Sequence, residues 1–214
     1  MITEEPAPYD FPDRELLEAD GAGFRCLVWQ PAAVCVVIGR GNSPAASVFL
    51  DRAAADGVAV VQRPSGGEAV VLSPRTLAVA AVHRAAEQPA SRRYFEQYND
   101  AVIRALAGLG VTGLSRRGIS DIALGDRKIL GSSIYRNRQR VLYHAVLNVA
   151  ESPELMERYL RPPARQPDYR RDRSHRDFVT SLAAAGYRLS MAALQDSLHA
   201  ALTRADLSPA PSSS

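Results

Sequence analysis

Apolar residues recur along this chain in two rhythms, and the switches between them set the expected elements. Residues 13–20 read as a short helix. Residues 24–29 and 34–38 read as strands, the second an unbroken apolar run of the kind a buried strand carries. Residues 50–56 form a short helical candidate ended by Gly57, and the β-branched stretch 58–62 reads as a strand running into Arg63-Pro64-Ser65-Gly66-Gly67. Residues 69–72 and 77–82 then read as a strand pair across a Ser73-Pro74 turn.

The clearest helical pattern covers 92–109, with Phe95, Val102, Ile103 and Leu106 as its expected inner stripe. Three strand-like segments follow. The first, 121–124, turns at Gly125-Asp126, a good tight-hairpin signal, into 128–135, which turns near Asn137 into 141–149. Helices are expected again at 153–160, 177–185 and 190–202, and the Ser/Pro-rich residues 208–214 read as a disordered tail. No repeat or linker divides the rest. The pattern predicts one α+β domain over 1–207, mixed β-sheets covered by helices.

Composition narrows the class. The chain has 214 residues, and its longest apolar run, 32–38, is far short of the ~20 residues a membrane helix requires. Its first residues are acidic, without the apolar core of a secretory signal, and Cys26 and Cys35 are the only cysteines. A reduced, cytoplasmic setting is therefore expected. The net charge of +3 could favour phosphates, acidic protein surfaces or nucleic acid. The basic residues themselves say more: of 26, one is lysine, Lys128. A sequence that otherwise uses arginine throughout has kept a compact, flexible ammonium at one position.

Two segments carry candidate chemistry. Successive amides in the Ser65-Gly66-Gly67 turn can form an anion-binding nest, and Arg63 could add a charge-assisted bond to a carboxylate or phosphate. A plain hairpin remains the alternative for that turn. Lys128 follows the Gly125-Asp126 turn in Lys128-Ile129-Leu130-Gly131-Ser132-Ser133. Period-2 alternation puts Lys128, Leu130, Ser132 and Ile134 on one face, and Gly131 leaves room for something to approach the backbone.

These residues resemble the lipoate–protein ligases, within the wider biotin and lipoate ligase/transferase superfamily. The resemblance rests on Arg63-Pro64-Ser65-Gly66-Gly67-Glu68-Ala69-Val70, Ser120-Asp121-Ile122, Lys128-Ile129-Leu130-Gly131-Ser132 and Tyr143-His144-Ala145, with Gly39-Arg40-Gly41-Asn42 upstream. It extends over about residues 13–150 and implies a biotin/lipoate ligase-like catalytic domain. The implied activity is conversion of lipoate (or octanoate) with ATP and Mg2+ to an acyl-adenylate, followed by acyl transfer to a lysine of a lipoyl-domain protein. Lys128 would contact the acyl carbonyl and phosphate. Arg63, Ser65, Gly66, Gly67 and Ala69 would close over the adenylate, with Asp121 near the nucleotide or its metal ion. Gly131, Ser132 and Ser133 would line the site. His144 is a further candidate, with a structural strand histidine as the alternative.

The sequence also departs from the family pattern. Glu68 replaces the third glycine of the turn, Leu72-Ser73 stands where many members have His-Asp, and Ala145 replaces a glycine. The accessory C-terminal domain of longer ligases is not expected here, so a separate accessory subunit enters as a possible partner. The arginine-rich stretch 161–176 reads as a solvated loop, a lid or a docking loop; aspartates interrupt it, which disfavours nucleic acid. Two other functions compete: a cysteine-dependent, ATP-independent octanoyl or lipoyl transferase, and a non-catalytic subunit binding a lipoyl protein.

Overall fold

The computed structural model describes residues 5–18, 23–84 and 90–205. Nine strands fall into two sheets. The larger contains, in spatial order, β1 (Gly23–Trp29), β5 (Thr76–Arg84), β9 (Arg140–Asn148), β8 (Arg127–Arg136), β7 (Asp121–Leu124) and β6 (Leu114–Arg117). All its neighbours are antiparallel. The smaller sheet has β2 (Cys35–Ile38) at its centre, parallel to β3 (Ala59–Gln62) and antiparallel to β4 (Val70–Leu72). The expected α+β class, mixed sheets with helices, is what the chain adopts.

Alternation along β5 and β9 decides what each sheet face meets. Leu77, Val79, Ala81, Tyr143, Ala145 and Leu147 pack under α4 (Ser91–Gly108) and α7 (Met191–Thr203). On the opposite face, Ala80, Val82 and Leu142 meet Leu16 and Leu17 of α1 (Arg14–Glu18), while Val146 meets Cys35, Val37 and Leu72 of the small sheet. The far side of the small sheet packs on α3 (Leu50–Ala55) and α5 (Pro153–Tyr159) through Val36, Ile38 and Val71. The large sheet is thus buried on both faces, with helices on one and the small sheet on the other.

Several expectations need correction. Residues 69–72 and 77–82 are strands but not partners: β4 pairs with β2, and β5 with β1 and β9. The turn between them, closed by Thr76 N to Ser73 O at 3.0 Å, carries the chain from one sheet to the other. The helix expected at 177–185 is a single turn, α6 (His175–Phe178). Beyond it the backbone N–H groups of Thr180, Leu182 and Ala183 donate to Lys128, Asn148 and Val149 carbonyls, so tertiary acceptors replace helical ones. Three elements were not foreseen, α2 (Pro44–Ser47), strand β6 and a 3-10 turn at Asp168–Arg170. The stripe of α4 is led by Tyr94 and Tyr98 with Val102 and Leu106, whereas Phe95 and Ile103 are only half-buried. The tail expected at 208–214 lies outside the described residues.

Candidate active site

Lys128 is placed by a hairpin and then re-aimed by a bulge. Gly125 adopts φ +63° in the two-residue turn that joins β7 to β8, a conformation glycine takes freely. Beyond it Ala123 faces Lys128 while Ile122 faces Leu130, so Ile129 is an extra residue on β8. A bulge of this kind reverses the side-chain alternation. Lys128 therefore shares a side with Gly131, and the expected face holding Lys128, Leu130 and Ser132 together does not form. Leu130 is in the core, and Ser132 Oγ donates to Ser120 O at 2.6 Å.

Gly131 makes room for the lysine head group. A Cβ at Gly131 would lie 2.6 Å from Lys128 Nζ, 2.7 Å from its Cε and 3.8 Å from Asp121 Oδ1. In that notch Nζ sits 2.8 Å from Asp121 Oδ1, with the lysine side chain 29% exposed and the aspartate 6%. The other oxygen of Asp121 accepts from the Tyr169 hydroxyl at 2.8 Å. Burial and the Asp121 charge both push the Tyr169 phenol up, so it stays a donor. Both carboxylate oxygens are committed, and among the described residues no group of three or more His, Cys, Asp or Glu side chains could hold a metal ion. The residues present do not by themselves make a resident metal site; a metal ion at Asp121 would have to come with a nucleotide.

The glycine turn is built from beneath by Arg63. Its guanidinium donates to Ser65 Oγ at 3.1 Å and to the carbonyls of Val37 at 3.2 Å, Gly66 at 2.7 Å and Glu68 at 2.9 Å. Asn42 Nδ2 takes the Gly67 carbonyl at 3.2 Å, and Arg40 N takes that of Ser65 at 3.0 Å. With the carbonyls drawn inward, the amides of Gly66, Gly67 and Glu68 have no acceptor among the described residues. These are amides of the kind an anion-binding nest would use. Arg63 itself is 6% exposed, and burial pulls its pKa down to about 10. Four of its donors are spent on the turn and on Val37 rather than left for an anion. Gly39 is indispensable behind it: a Cβ there would fall 2.1 Å from Gly67 O.

Turn and hairpin meet. Ser65 Oγ and Ser133 Oγ are 2.9 Å apart, and a Cβ on Gly67, at φ +91°, would lie 3.7 Å from Ser133 Cβ. Two cavities open on either side of this junction. One, of about 620 Å³, is lined by Gly66 to Ala69, Lys128, Arg161, Arg165, Arg170 and His175. The other, of about 690 Å³, runs between the sheets past Val37, Leu72, Ala78, His144 and Val146 to Trp29 and Tyr9. Lys128, Gly131, Gly67 and Ala69 border both. The first cavity is cationic. The second is mainly apolar and crosses three strand spacings from β8 to β1, ~14 Å.

His144 lies in the wall of the apolar cavity, 8% exposed, its Nε2 3.1 Å from Asp13 Oδ2 but without hydrogen-bond geometry. Asp13 is held by the Tyr9 hydroxyl at 2.9 Å. Glu68 borders both cavities and accepts from the Arg165 amide at 3.2 Å, so it joins the turn to the arginine-rich segment. That segment is docked rather than free. Its 3-10 turn Asp168–Arg170 supplies Tyr169 and the 7%-exposed Arg170, whose guanidinium stacks 4.9 Å over Phe178. Sequence reasoning missed Asp13, Tyr9, Tyr169 and Arg170 as individual site residues. The one available signal was the concentration of arginine around Tyr169 in 161–176. Neither Cys26 nor Cys35 borders either cavity.

A family model described as the lipoyl protein ligase A/B catalytic domain matches residues 14–203. The chain belongs to that family. Among its relatives is the lipoate-protein ligase A of Psychrobacter cryohalolentis, 29% identical over 142 residues, which cover 59% of this chain and 36% of that protein. The chain spans between 36% and 47% of the length of the curated relatives it matches. Among solved structures, a bi-partite lipoate protein ligase of Thermoplasma acidophilum, described with its E2 lipoyl domain, superposes with a TM-score of 0.77 at 20% identity, covering 89% of this chain and 75% of its own. A lipoate-protein ligase A bound with ATP superposes at 0.72 and 20% identity, covering 84% of this chain and 71% of its own. At these identities the superpositions establish the lipoyl ligase fold.

Proposed function

We propose that the protein is a lipoate–protein ligase: it activates lipoate or octanoate with ATP to an acyl-adenylate and passes the acyl group to a lysine of a lipoyl-domain protein. The observation that carries this is the position of Lys128, at the border of an apolar and a cationic cavity that are also lined by a turn whose amides have no acceptor among the described residues. An acyl tail suits the apolar cavity, a nucleotide phosphate suits the cationic one, and the mixed anhydride between them falls beside Nζ. Preorganised donors at the point where charge develops on the leaving phosphate and the attacked carbonyl supply most of the barrier lowering. Lys128 and the amides of Gly66 and Gly67 are those donors, with Ser133 alongside. The ATP-bound relative and the relative described with its lipoyl domain support the nucleotide and the acceptor. Magnesium would arrive with the nucleotide as part of the substrate.

Arg63 acts by shaping the turn, Asp121 by holding Lys128, and Ser132 by tying the start of β7 to β8. His144 contributes to the acyl wall. An accessory subunit is dispensable if the purified chain suffices in the following test. Protein is incubated with ATP, magnesium, lipoate or octanoate and a lipoyl-domain acceptor, and the acceptor is weighed intact. An ATP-dependent acyl mass gain is expected. Gain from acyl-carrier donors alone would indicate a transferase, and no gain in any arm would leave a binding role.

A further inference from the structure

The amine that this chemistry requires is the only lysine in the chain, and it lies where an activated acyl group would sit. An amine with a free electron pair at that point is itself an acyl acceptor. Arg161, Arg165, Arg170 and His175 line the same cavity. Lys128 is held by Asp121, 4% exposed and 2.8 Å from Nζ. Its second oxygen is held at 2.8 Å by Tyr169, and the missing side chain of Gly131 leaves the space in which the pair meets.

We propose that Asp121, steadied by Tyr169, guards Lys128 against self-acylation, and that Lys128 becomes an acyl-acceptor site when this contact is lost. Asp121 holds Nζ in the Gly131 notch as its hydrogen-bond donor. In an unguarded site the Nζ pair attacks the acyl carbonyl carbon and the bond from that carbon to the phosphate oxygen breaks. AMP leaves with the bonding electrons, the nitrogen gives its proton to solvent, and an amide remains on Lys128. The source of the adenylate rests on the ligase reading; the reactivity of the amine does not. Tyr169 is a positioning residue in this scheme, acting through Asp121.

The single lysine makes the test specific. Native protein, Asp121→Asn and Tyr169→Phe are treated with a water-soluble acetyl N-hydroxysuccinimide ester, and acetylation at residue 128 is followed by peptide mass mapping. Loss of one charge-assisted hydrogen bond predicts labelling about tenfold faster in Asp121→Asn and about threefold faster in Tyr169→Phe. The milder variant keeps the experiment decisive should Asp121→Asn fail to fold. A second arm replaces the ester with ATP, magnesium and lipoate, and an acyl adduct at residue 128 is expected in the variants but not in native protein. Differential labelling by the ester, with no adduct in the second arm, would uphold the guard and count against the ligase reading. Equal labelling of all three folded proteins would overturn the guard.

Discussion

Two cations border the same turn and do different work. Arg63 is buried and gives its donors to four acceptors of the chain itself, three of them carbonyls. Lys128 has one protein partner, Asp121, and otherwise faces two cavities. A cation whose donors are mostly spent inside the fold builds a site, whereas one with most of its donors left over can act in it. Charge and proximity alone would have assigned both the same task.

Substitution separates the two roles most sharply at Lys128. Lys128→Arg keeps the charge but forces a planar fork into the Gly131 notch, and acyl transfer should fall ~100-fold or more, the loss typical of one preorganised donor. Its thermal unfolding should match that of native protein. Arg63→Met should show the reverse order of effects. Four acceptors lose their donors, and urea unfolding should report a loss of about 3 kcal/mol, with activity falling as the turn loosens. If the Arg63 variant were fully stable yet inactive, the distinction between builder and actor would collapse.

Gly131→Ala sharpens the comparison further. The new methyl would occupy the position 2.6 Å from Nζ, and the flexible lysine head must swing away from Asp121. Turnover should drop about tenfold with little change in stability, because the obstacle is a side-chain end rather than backbone. A smaller effect concerns His175 on the cationic rim. Burial and the neighbouring Arg170 charge depress its pKa from 6.5 to about 4. A depressed value means the unfolded chain takes up the proton first. Its contribution to stability is therefore complete above pH 6.5 and is lost as pH falls from 6.5 toward 4. His175→Gln should flatten the denaturation midpoint across that window, and an unchanged slope would count against the burial.

Much of this arrangement was legible from residues whose local chemistry leaves few options. Gly125-Asp126 fixed a tight hairpin, and Ser65-Gly66-Gly67 allowed the turn whose amides are left without acceptors among the described residues. What stayed hidden depends on partners distant in sequence. The bulge at Ile129 reverses the face of Lys128, and alternation counted along β8 alone cannot register an extra residue opposite β7. Residues 177–185 have an apolar, alanine-rich pattern, yet carbonyls of Lys128, Asn148 and Val149 capture their amides. The strand pair drawn across Ser73-Pro74 failed for a related reason: periodicity identifies a strand without naming its neighbour. Tyr169 and Arg170 gained individual roles only when their segment docked against Asp121 and Phe178.

The central claim is that Nζ of the single lysine meets the bond between acyl group and nucleotide. A crystal structure with a non-hydrolysable acyl-adenylate analogue tests this most directly. The acyl tail should run toward Trp29 and the nucleotide toward Arg170, with Nζ within about 3 Å of the bridging acyl or phosphate oxygens. An analogue bound with its anhydride mimic remote from Lys128, the lysine still turned to Asp121, would contradict the account.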